Sequence, residues 1–251
     1  MSRVTLQAPA KLTWYLEVTG RRANGYHELR SEMVTIDLSD TVVIDEEGDY
    51  LRVVDPFAAV PSDDTNLVSR ALRLVGRSAG VTIEKSIRPG GGLGGGSADA
   101  AAILRWAGGV DPEEALKLGG DVPFCQLGGR ALVEGAGEIL TELAFLERTV
   151  TLITPDFAVS TPACYQAYDE LRADGWRPEG RNHLEVPARR VEPRLATTID
   201  WLRASLGTEV HLAGSGSTMF VEGAVEEGRT RWDATGPEGL LRFHQNVTTP
   251  R

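Results

Sequence analysis

The sequence predicts an α+β fold in which a second, smaller domain follows the first. Between residues 12 and 54, apolar and polar side chains alternate in short runs, as they do in strands with one buried face. Helical spacing begins after these runs, and a run of glycines stands between a strand pattern and a helix pattern. A strand pattern restarts near residue 150, so we expect domains at residues 1–147 and 148–251.

The composition of the 251-residue chain favours small-molecule partners. A net charge of −10 disfavours binding to nucleic acid or to an anionic membrane surface. No apolar run approaches the roughly 20 residues of a membrane span, and the first residues lack a signal-peptide pattern, which favours a cytoplasmic protein. The two cysteines lack metal-ligand spacing and are expected to be buried, reduced thiols.

The first predicted elements are a strand and a tight turn. The strand covers residues 11–18, and its polar face includes Lys11 and Thr13. The Asn24–Gly25 pair predicts the turn, and Tyr26–His27 follows it directly.

A run of six glycines in residues 88–98, RPGGGLGGGSA, is the most informative motif. It follows a predicted strand at 81–87 and precedes an alanine-rich helix at 97–107, whereas a linker would continue into polar sequence. Glycine lets successive N–H groups turn toward one anion, and Ser97 would cap a helix whose positive end faces the loop. The segment therefore predicts a phosphate-binding loop.

Neither standard nucleotide loop matches this segment. A P-loop requires a lysine before the final serine, and here Ser97 follows glycine. A dinucleotide fingerprint requires an acidic residue at the end of the next strand, whereas Asp111 opens a helix and Asp121 lies in a turn.

The remaining elements follow from periodicity, capping residues and turns. In the first domain we predict strands at 33–38, 41–44, 51–54 and 130–134, a helix at 66–75 capped by Asp64 or Thr65, and a helix from Asp111 to Gly119. In the second we predict strands at 150–153, 210–213, 219–222 and 241–247, a helix capped by Thr161, a helix through Leu195 and Leu206, a helix near 224–235, and a loop at 172–192.

Five polar or aromatic residues are candidates for chemistry. Asp121 in GGDVP either caps a short helix or accepts the proton of a substrate hydroxyl. Lys11 is either a solvated lysine or a positive charge beside a transferring phosphoryl group. Lys85 shares the inward face of its strand and either needs an anion there or lies at a frayed strand end. Tyr26 and His27 are either a packed aromatic with a surface histidine or a pair that stacks on a base and bonds its edge.

Several motifs occur together in the order found in one enzyme family. They are PAKLTWYLEVTGRRANGYHEL at 9–29, NLVSRALRL at 66–74, RPGGGLGGGSADAA at 88–101, LGGDVPF at 118–124, EGAGEIL at 134–140 and LAGSGSTMF at 212–220. On these motifs the chain resembles the 4-diphosphocytidyl-2-C-methyl-D-erythritol kinases of the GHMP superfamily. The glycine loop marks the superfamily, and GYHEL joined to PAK and GGDVP is specific to this kinase family.

The resemblance implies two α+β domains with the active site in the cleft between them. It also implies phosphorylation of the substrate's 2-hydroxyl group by ATP, with Lys11 and Asp121 as the catalytic pair and magnesium carried chiefly by ATP. The implied ATP-binding residues are Asn66, Lys85, Arg88, Pro89, Gly90, Gly91, Gly92, Leu93, Gly94, Gly95, Gly96, Ser97 and Ala98.

The resemblance further implies a substrate with a cytidine diphosphate group. Tyr26 and His27 would hold the cytosine, with Phe220 as a second stacking face, and Thr13 and Ser215 would contact the substrate. Some positions depart from the family: Thr13 stands where asparagine is usual, Ala98 replaces a common second serine, GSGST at 214–218 is a variant of the usual small glycine motif, and His183 stands where an acidic residue is common.

Two alternatives remain open at the level of sequence. The chain could be another GHMP kinase that acts on a sugar, homoserine or a mevalonate-type alcohol, although the Tyr26–His27 pair argues against a substrate without a base. It could also be a nucleotide-binding protein that has lost catalysis, although the presence of both Lys11 and Asp121 argues against this.

Overall fold

The structure, a computed structural model, describes residues 3–57 and 60–250. Its elements form two successive groups, each built on one sheet. The first group contains β1 (Arg3–Arg21), β2 (His27–Asp45), β3 (Tyr50–Val54), α1 (Leu67–Leu74), β4 (Gly80–Glu84), α2 (Gly95–Trp106), α3 (Pro112–Leu116), α4 (Val122–Leu127), β5 (Arg130–Gly135) and β6 (Ile139–Glu142). The second contains β7 (Thr149–Pro155), α5 (Thr161–Ala173), α6 (Glu185–Val191), α7 (Pro193–Leu206), β8 (His211–Leu212), β9 (Met219–Glu222), β10 (Arg231–Gly236) and β11 (Gly239–Val247).

Two long antiparallel strands organise the first sheet. β1 and β2 each contain 19 residues and pair from their outer ends to the turn that joins them. On the other edge of β2, β4 pairs with residues 41–45 and β5 pairs with residues 29–34. β3 pairs with the far side of β4, and β6 pairs with the far side of β5. The strands predicted at 33–38 and 41–44 are therefore parts of one continuous strand.

The helix after the glycine run is packed into the core of this first group. α2 contacts β1, β2, α1 and α4. Its residues from Ala98 to Leu104 are buried, and Ile103 and Leu104 pack in one cluster with Val42, Ile44 and Val68. Burial of these apolar side chains fixes the helix, and with it the loop at its N-terminus.

The second sheet has the strand order β10-β11-β7-β9-β8 and is accompanied by α5, α6 and α7. Its core contains Ile153 of β7 and Leu195, Ile199 and Leu202 of α7, which confirms the predicted helical spacing. Backbone contacts join this group to the first, because Asn182 pairs with Leu16 of β1 and Thr248 pairs with Ile36 of β2.

Three elements of the fold differ from the sequence predictions or were not predicted. The predicted loop at 172–192 contains α6. Its internal Pro187 and adjacent arginines interrupt the apolar spacing by which a helix is predicted from sequence. The helix predicted near 224–235 is wrong, because residues 231–236 form β10 with alternating exposed and half-buried side chains. β6 was not predicted and pairs with β5.

The caps of three helices also differ from the sequence predictions. Asn66, rather than Asp64 or Thr65, caps α1, because its side-chain oxygen accepts the Val68 N–H at 2.8 Å. Ser160, rather than Thr161, caps α5. Gly94 precedes α2, so Ser97 lies inside the first turn instead of capping it. In each case the cap is the non-helical residue directly before the first helical one.

Cys125 and Cys164 are buried free thiols, as predicted, and burial raises the pKa of both. Among the residues that the structure describes, none of the helices combines the length and the apolar character needed to cross a membrane.

Candidate active site

The glycine loop adopts a backbone that side chains would disrupt. Gly90, Gly92 and Gly94 have φ values of +72°, +81° and +69°, in the left-handed region that favours glycine. A Cβ atom at Gly92 would lie 2.3 Å from the Ala213 carbonyl oxygen, and one at Gly94 would lie 2.8 Å from Lys11 Cγ. Both the conformation and the close packing of the loop therefore require these glycines.

The loop ends in the first turn of α2, whose N–H groups are available to an anion. Ala98 N–H donates to the Gly94 carbonyl at 2.8 Å, so the preceding N–H groups of residues 95–97 have no acceptor within the helix. A cavity of about 390 Å³, which we call the loop cavity, is lined by residues 88–97 together with Asn66 and Lys85. Ala98 itself is fully buried and does not line this cavity, and its N–H is already bonded to Gly94, so the structure does not support the predicted contact of Ala98 with ATP.

A second glycine turn, residues 214–217, packs directly on the first. A Cβ atom at Gly216 would lie 2.2 Å from the Gly92 nitrogen. Thr218 N–H donates to the Gly91 carbonyl at 3.1 Å, which adds a hydrogen bond between the two segments. Ser215 Oγ lies 2.8 Å from Thr161 Oγ1, so the same turn also contacts the start of α5.

Lys11 and Asp121 form an ion pair beside the loop. Lys11 Nζ lies 3.3 Å from Asp121 Oδ2 and donates to Thr13 Oγ1 at 3.0 Å. The lysine side chain is only 6% exposed, whereas that of Asp121 is 34% exposed. Asp121 precedes α4, but its side chain makes no capping hydrogen bond. The geometry therefore disfavours the two alternatives considered from the sequence, that Lys11 is a solvated surface lysine and that Asp121 caps a helix.

The inward-facing Lys85 finds its anion within the protein. Its Nζ donates to Asp40 and lies 2.6 Å from Asp99 Oδ2. Burial alone would lower the pKa of Lys85, but the two carboxylates outweigh burial and raise that pKa above its ordinary value. Lys85 lines the loop cavity, yet its ammonium group needs no nucleotide to compensate its charge.

A larger cavity of about 680 Å³, which we call the base cavity, contains Tyr26 and His27. Tyr26 is 57% exposed and follows a turn in which Gly25 has φ of +90°. The His27 ring stacks on Tyr165, with ring centroids 4.7 Å apart and planes at 24°. This cavity thus presents one exposed aromatic ring and one stacked pair of rings.

Phe220 does not take part in the base cavity. It is fully buried in β9, where its ring lies 5.5 Å from that of Trp14 and 5.2 Å from that of His211. The prediction that it offers a second stacking face is therefore wrong, because its faces are already covered. Tyr165 lines the cavity instead, and its ring stacks on that of His27.

The sequence reasoning missed the contribution of α5. Thr161, Tyr165 and Asp169 are spaced by four residues, which places them along one face of a helix, and all three line the base cavity. A stripe of polar and aromatic residues on an otherwise amphipathic helix is the feature that could have revealed them.

The two cavities share three lining residues: Ser97, Asp121 and Thr161. A group bound in the loop cavity and a group bound in the base cavity would therefore meet at the Asp121 carboxylate. Lys11 Nζ lies 3.3 Å from an oxygen of this carboxylate, so its positive charge is next to the junction of the two cavities. The arrangement can hold a phosphorylated donor on one side and an acceptor on the other.

The chain matches known proteins along almost its entire length. Residues 66–129 match the family model described as the GHMP kinases N terminal domain. The chain is 40% identical over 231 residues to a 4-diphosphocytidyl-2-C-methyl-D-erythritol kinase of Paracoccus denitrificans, covering 85% of this chain and 84% of that protein.

Solved structures show the same likeness. A crystal structure of 4-(cytidine 5'-diphospho)-2C-methyl-D-erythritol kinase is 31% identical and has a TM-score of 0.70, covering 98% of this chain and 100% of that one. A mevalonate kinase of L. major has a TM-score of 0.62 at 14% identity, covering 99% and 97% of the two chains, which shows a shared fold alone.

Proposed function

The chain belongs to the 4-diphosphocytidyl-2-C-methyl-D-erythritol kinases, and we propose that it transfers the γ-phosphoryl group of ATP to the 2-hydroxyl of 4-diphosphocytidyl-2-C-methyl-D-erythritol. The products are the 2-phosphate and ADP, in the non-mevalonate route to isopentenyl diphosphate. The observation that carries the proposal is the junction of two cavities at Asp121, with Lys11 paired to that carboxylate.

The loop cavity is the proposed ATP site. The left-handed glycines leave the backbone of residues 90–96 open to phosphate oxygens, and the N–H groups at the start of α2 are available as donors. Asn66 also lines this cavity, and we propose that the nucleoside lies beside it. Its amide is already used to cap α1 and to bond the Pro61 carbonyl, so we assign it a packing contact.

Asp121 and Lys11 are the proposed catalytic pair. Asp121 would accept the proton of the substrate hydroxyl as that oxygen attacks the γ-phosphorus and the bond to the ADP oxygen breaks. Lys11 would stabilise the negative charge that develops on the transferred group, and the Thr13 hydroxyl holds its ammonium in place. Little solvent reaches Lys11, so its charge acts at short range with little screening.

Magnesium is the proposed metal partner of ATP. Within residues 3–57 and 60–250, no three His, Cys, Asp or Glu side chains converge as a ready metal site. Ser97 lines the loop cavity at the start of α2, and its hydroxyl oxygen is of the hard type that Mg²⁺ prefers. Magnesium carried chiefly by ATP would neutralise the charge of the phosphates, with the Ser97 hydroxyl as its protein contact.

The base cavity is the proposed site for the cytidine group. Tyr26 offers an exposed ring for stacking, and the His27 imidazole offers a hydrogen-bonding edge. Residues on both sides of position 147 line this cavity, so we propose that 1–147 and 148–251 act as two domains with the substrate between them.

Product formation with a panel of alcohols tests the proposal. The purified chain, ATP and Mg²⁺ should release ADP with 4-diphosphocytidyl-2-C-methyl-D-erythritol, and ³¹P NMR should show a new phosphomonoester. Homoserine, mevalonate and galactose should give only background release. Equal turnover with an alcohol that lacks cytidine would contradict the proposed substrate, and no turnover with any alcohol would contradict the proposed reaction.

A further inference from the structure

Three charged or titratable side chains form a chain along one wall of the base cavity. His27 Nε2 lies 2.7 Å from Asp169 Oδ1, and Arg21 Nη1 lies 3.1 Å from Asp169 Oδ2. His27 begins β2, Arg21 ends β1, and Asp169 comes from α5, so the chain of contacts links both parts of the molecule. All three residues line the cavity.

The contact with Asp169 determines which nitrogen of His27 carries the proton. An ionised carboxylate only accepts hydrogen bonds, so Nε2 must be the protonated nitrogen, and a neutral imidazole then has Nδ1 as an acceptor. Among the described residues, the His27 ring has no other hydrogen bond than the one to Asp169. Nδ1 is therefore an acceptor without a protein partner in a ring that lines the cavity.

The position of the His27 ring depends on its contacts with two tyrosine rings. Tyr165 stacks on one face of the His27 ring, and Tyr168 meets it edge-on with centroids 5.9 Å apart. These contacts restrict the ring even without a carboxylate. What Asp169 adds is the choice of tautomer, and Arg21 holds the second oxygen of that carboxylate.

We propose that Asp169 is a positioning residue that keeps His27 in the tautomer able to accept a hydrogen bond from the exocyclic amino group of cytosine. Uracil carries a carbonyl oxygen at the same position of the ring, so two acceptors would face each other and uridine-containing substrates would be rejected. The proposal rests on the proposed function and assigns base discrimination to a residue that does not itself touch the base.

Selectivity between two substrates provides the kinetic test. The ratio of kcat/KM for the cytidine substrate to that for its uridine counterpart should fall by at least about tenfold in Asp169→Ala, mainly through KM of the cytidine substrate. Asp169→Asn keeps an acceptor oxygen and should retain most of the ratio. Glu170→Ala is the matched control, because Glu170 is the next residue of α5 and pairs with Arg190 outside the cavity. An unchanged ratio in Asp169→Ala would overturn the proposal.

The tautomer itself is measured by ¹⁵N NMR of the histidine rings, with His27→Gln used to assign the signals. We expect Nε2 to be protonated and Nδ1 unprotonated in the wild-type chain, and a shift toward the other tautomer in Asp169→Ala. A proton on Nδ1 in the wild type would overturn the proposal whatever the kinetics. Failure of the wild type to phosphorylate the cytidine substrate would instead overturn the proposed function, and base recognition with it.

Discussion

At the scale of single residues, the candidate site depends on a lysine whose surroundings leave it few partners. Lys11 Nζ contacts one carboxylate and one hydroxyl, and its stem lies against Gly94 of the loop. A buried ammonium is costly unless its partners are retained. Changes at Asp121 and Thr13 therefore alter the environment of Lys11 as well as removing their own groups.

Asp121→Asn should lower kcat by about 10²- to 10⁴-fold, the range expected for loss of a positioned general base. ATP affinity, measured by calorimetry, should change far less than kcat, because the glycine loop makes the proposed phosphate contacts. Asp111→Asn provides the control: Asp111 also precedes a short helix without a side-chain cap bond, and it does not line the loop cavity. If kcat of Asp121→Asn equals that of the control, Asp121 is not the base.

Thr13→Ala should lower kcat by about tenfold, because the Lys11 ammonium loses the hydroxyl that accepts its hydrogen bond. Thr13→Ser keeps the hydroxyl and should restore most of the activity. Steady-state kinetics on both variants make the comparison, and equal losses in the two would show that the methyl group, not the hydroxyl, matters at this position.

At the scale of elements, the candidate site is formed where two short, irregular glycine turns contact each other. The two glycine turns touch through backbone atoms at Gly92 and Gly216, so neither of these two positions has room for a side chain. Stripes on helices are equally important, since α5 supplies Thr161, Tyr165 and Asp169 from a single face.

Gly216→Ala should destabilise the fold by about 1 to 3 kcal/mol and weaken ATP binding, because its Cβ would lie 2.2 Å from the Gly92 nitrogen. Gly119→Ala is the control, since a Cβ there meets only Val122 at 3.7 Å. Thermal unfolding with and without ATP measures both effects. A Gly216→Ala variant as stable as the control would contradict the close packing of the two turns.

The periodicity of apolar residues predicted most of the helices and strands, but it did not predict how far the long strands continue. β1 contains register shifts between Pro9 and Lys11, between Thr13 and Tyr15, and between Val18 and Gly20. Each shift changes which side chains face the core, so a strict alternation covers only part of the strand. The existence of the glycine loop and the shared face of Lys11 and Thr13 followed from local sequence. The contacts of Phe220 and Tyr165 did not, because they depend on residues far away along the chain.

At the scale of the whole molecule, ion pairs and backbone contacts connect the two sheets. Glu32 of β2 accepts hydrogen bonds from Arg130 of β5 at 2.8 Å and from Arg148, just before β7, at 2.8 Å. Burial alone would raise the pKa of Glu32, but the two guanidinium groups outweigh it and lower that pKa below its ordinary value of 4.5. No local sequence pattern predicts this junction, since its members are 98 and 116 residues apart.

The depressed pKa of Glu32 predicts a pH-dependent contribution to stability. A carboxyl group whose pKa is lower in the folded chain stabilises it above the ordinary value and loses this contribution as pH falls through the folded pKa. Glu32→Gln should therefore cost about 1 to 3 kcal/mol at pH 7, and the difference from wild type should shrink as pH falls below 4.5. Urea unfolding at several pH values measures it. A difference that does not vary with pH would contradict the ionic origin.

The packing of Gly216 on Gly92 also bears on the order in which the chain is synthesised. The glycine loop leaves the ribosome long before residues 213–218, whose backbone supports it. A nascent chain that ends before this turn carries every residue of the loop but lacks the surface that shapes it. The ability of the glycine loop to bind a triphosphate should therefore appear late in translation. A partly synthesised chain would not bind ATP.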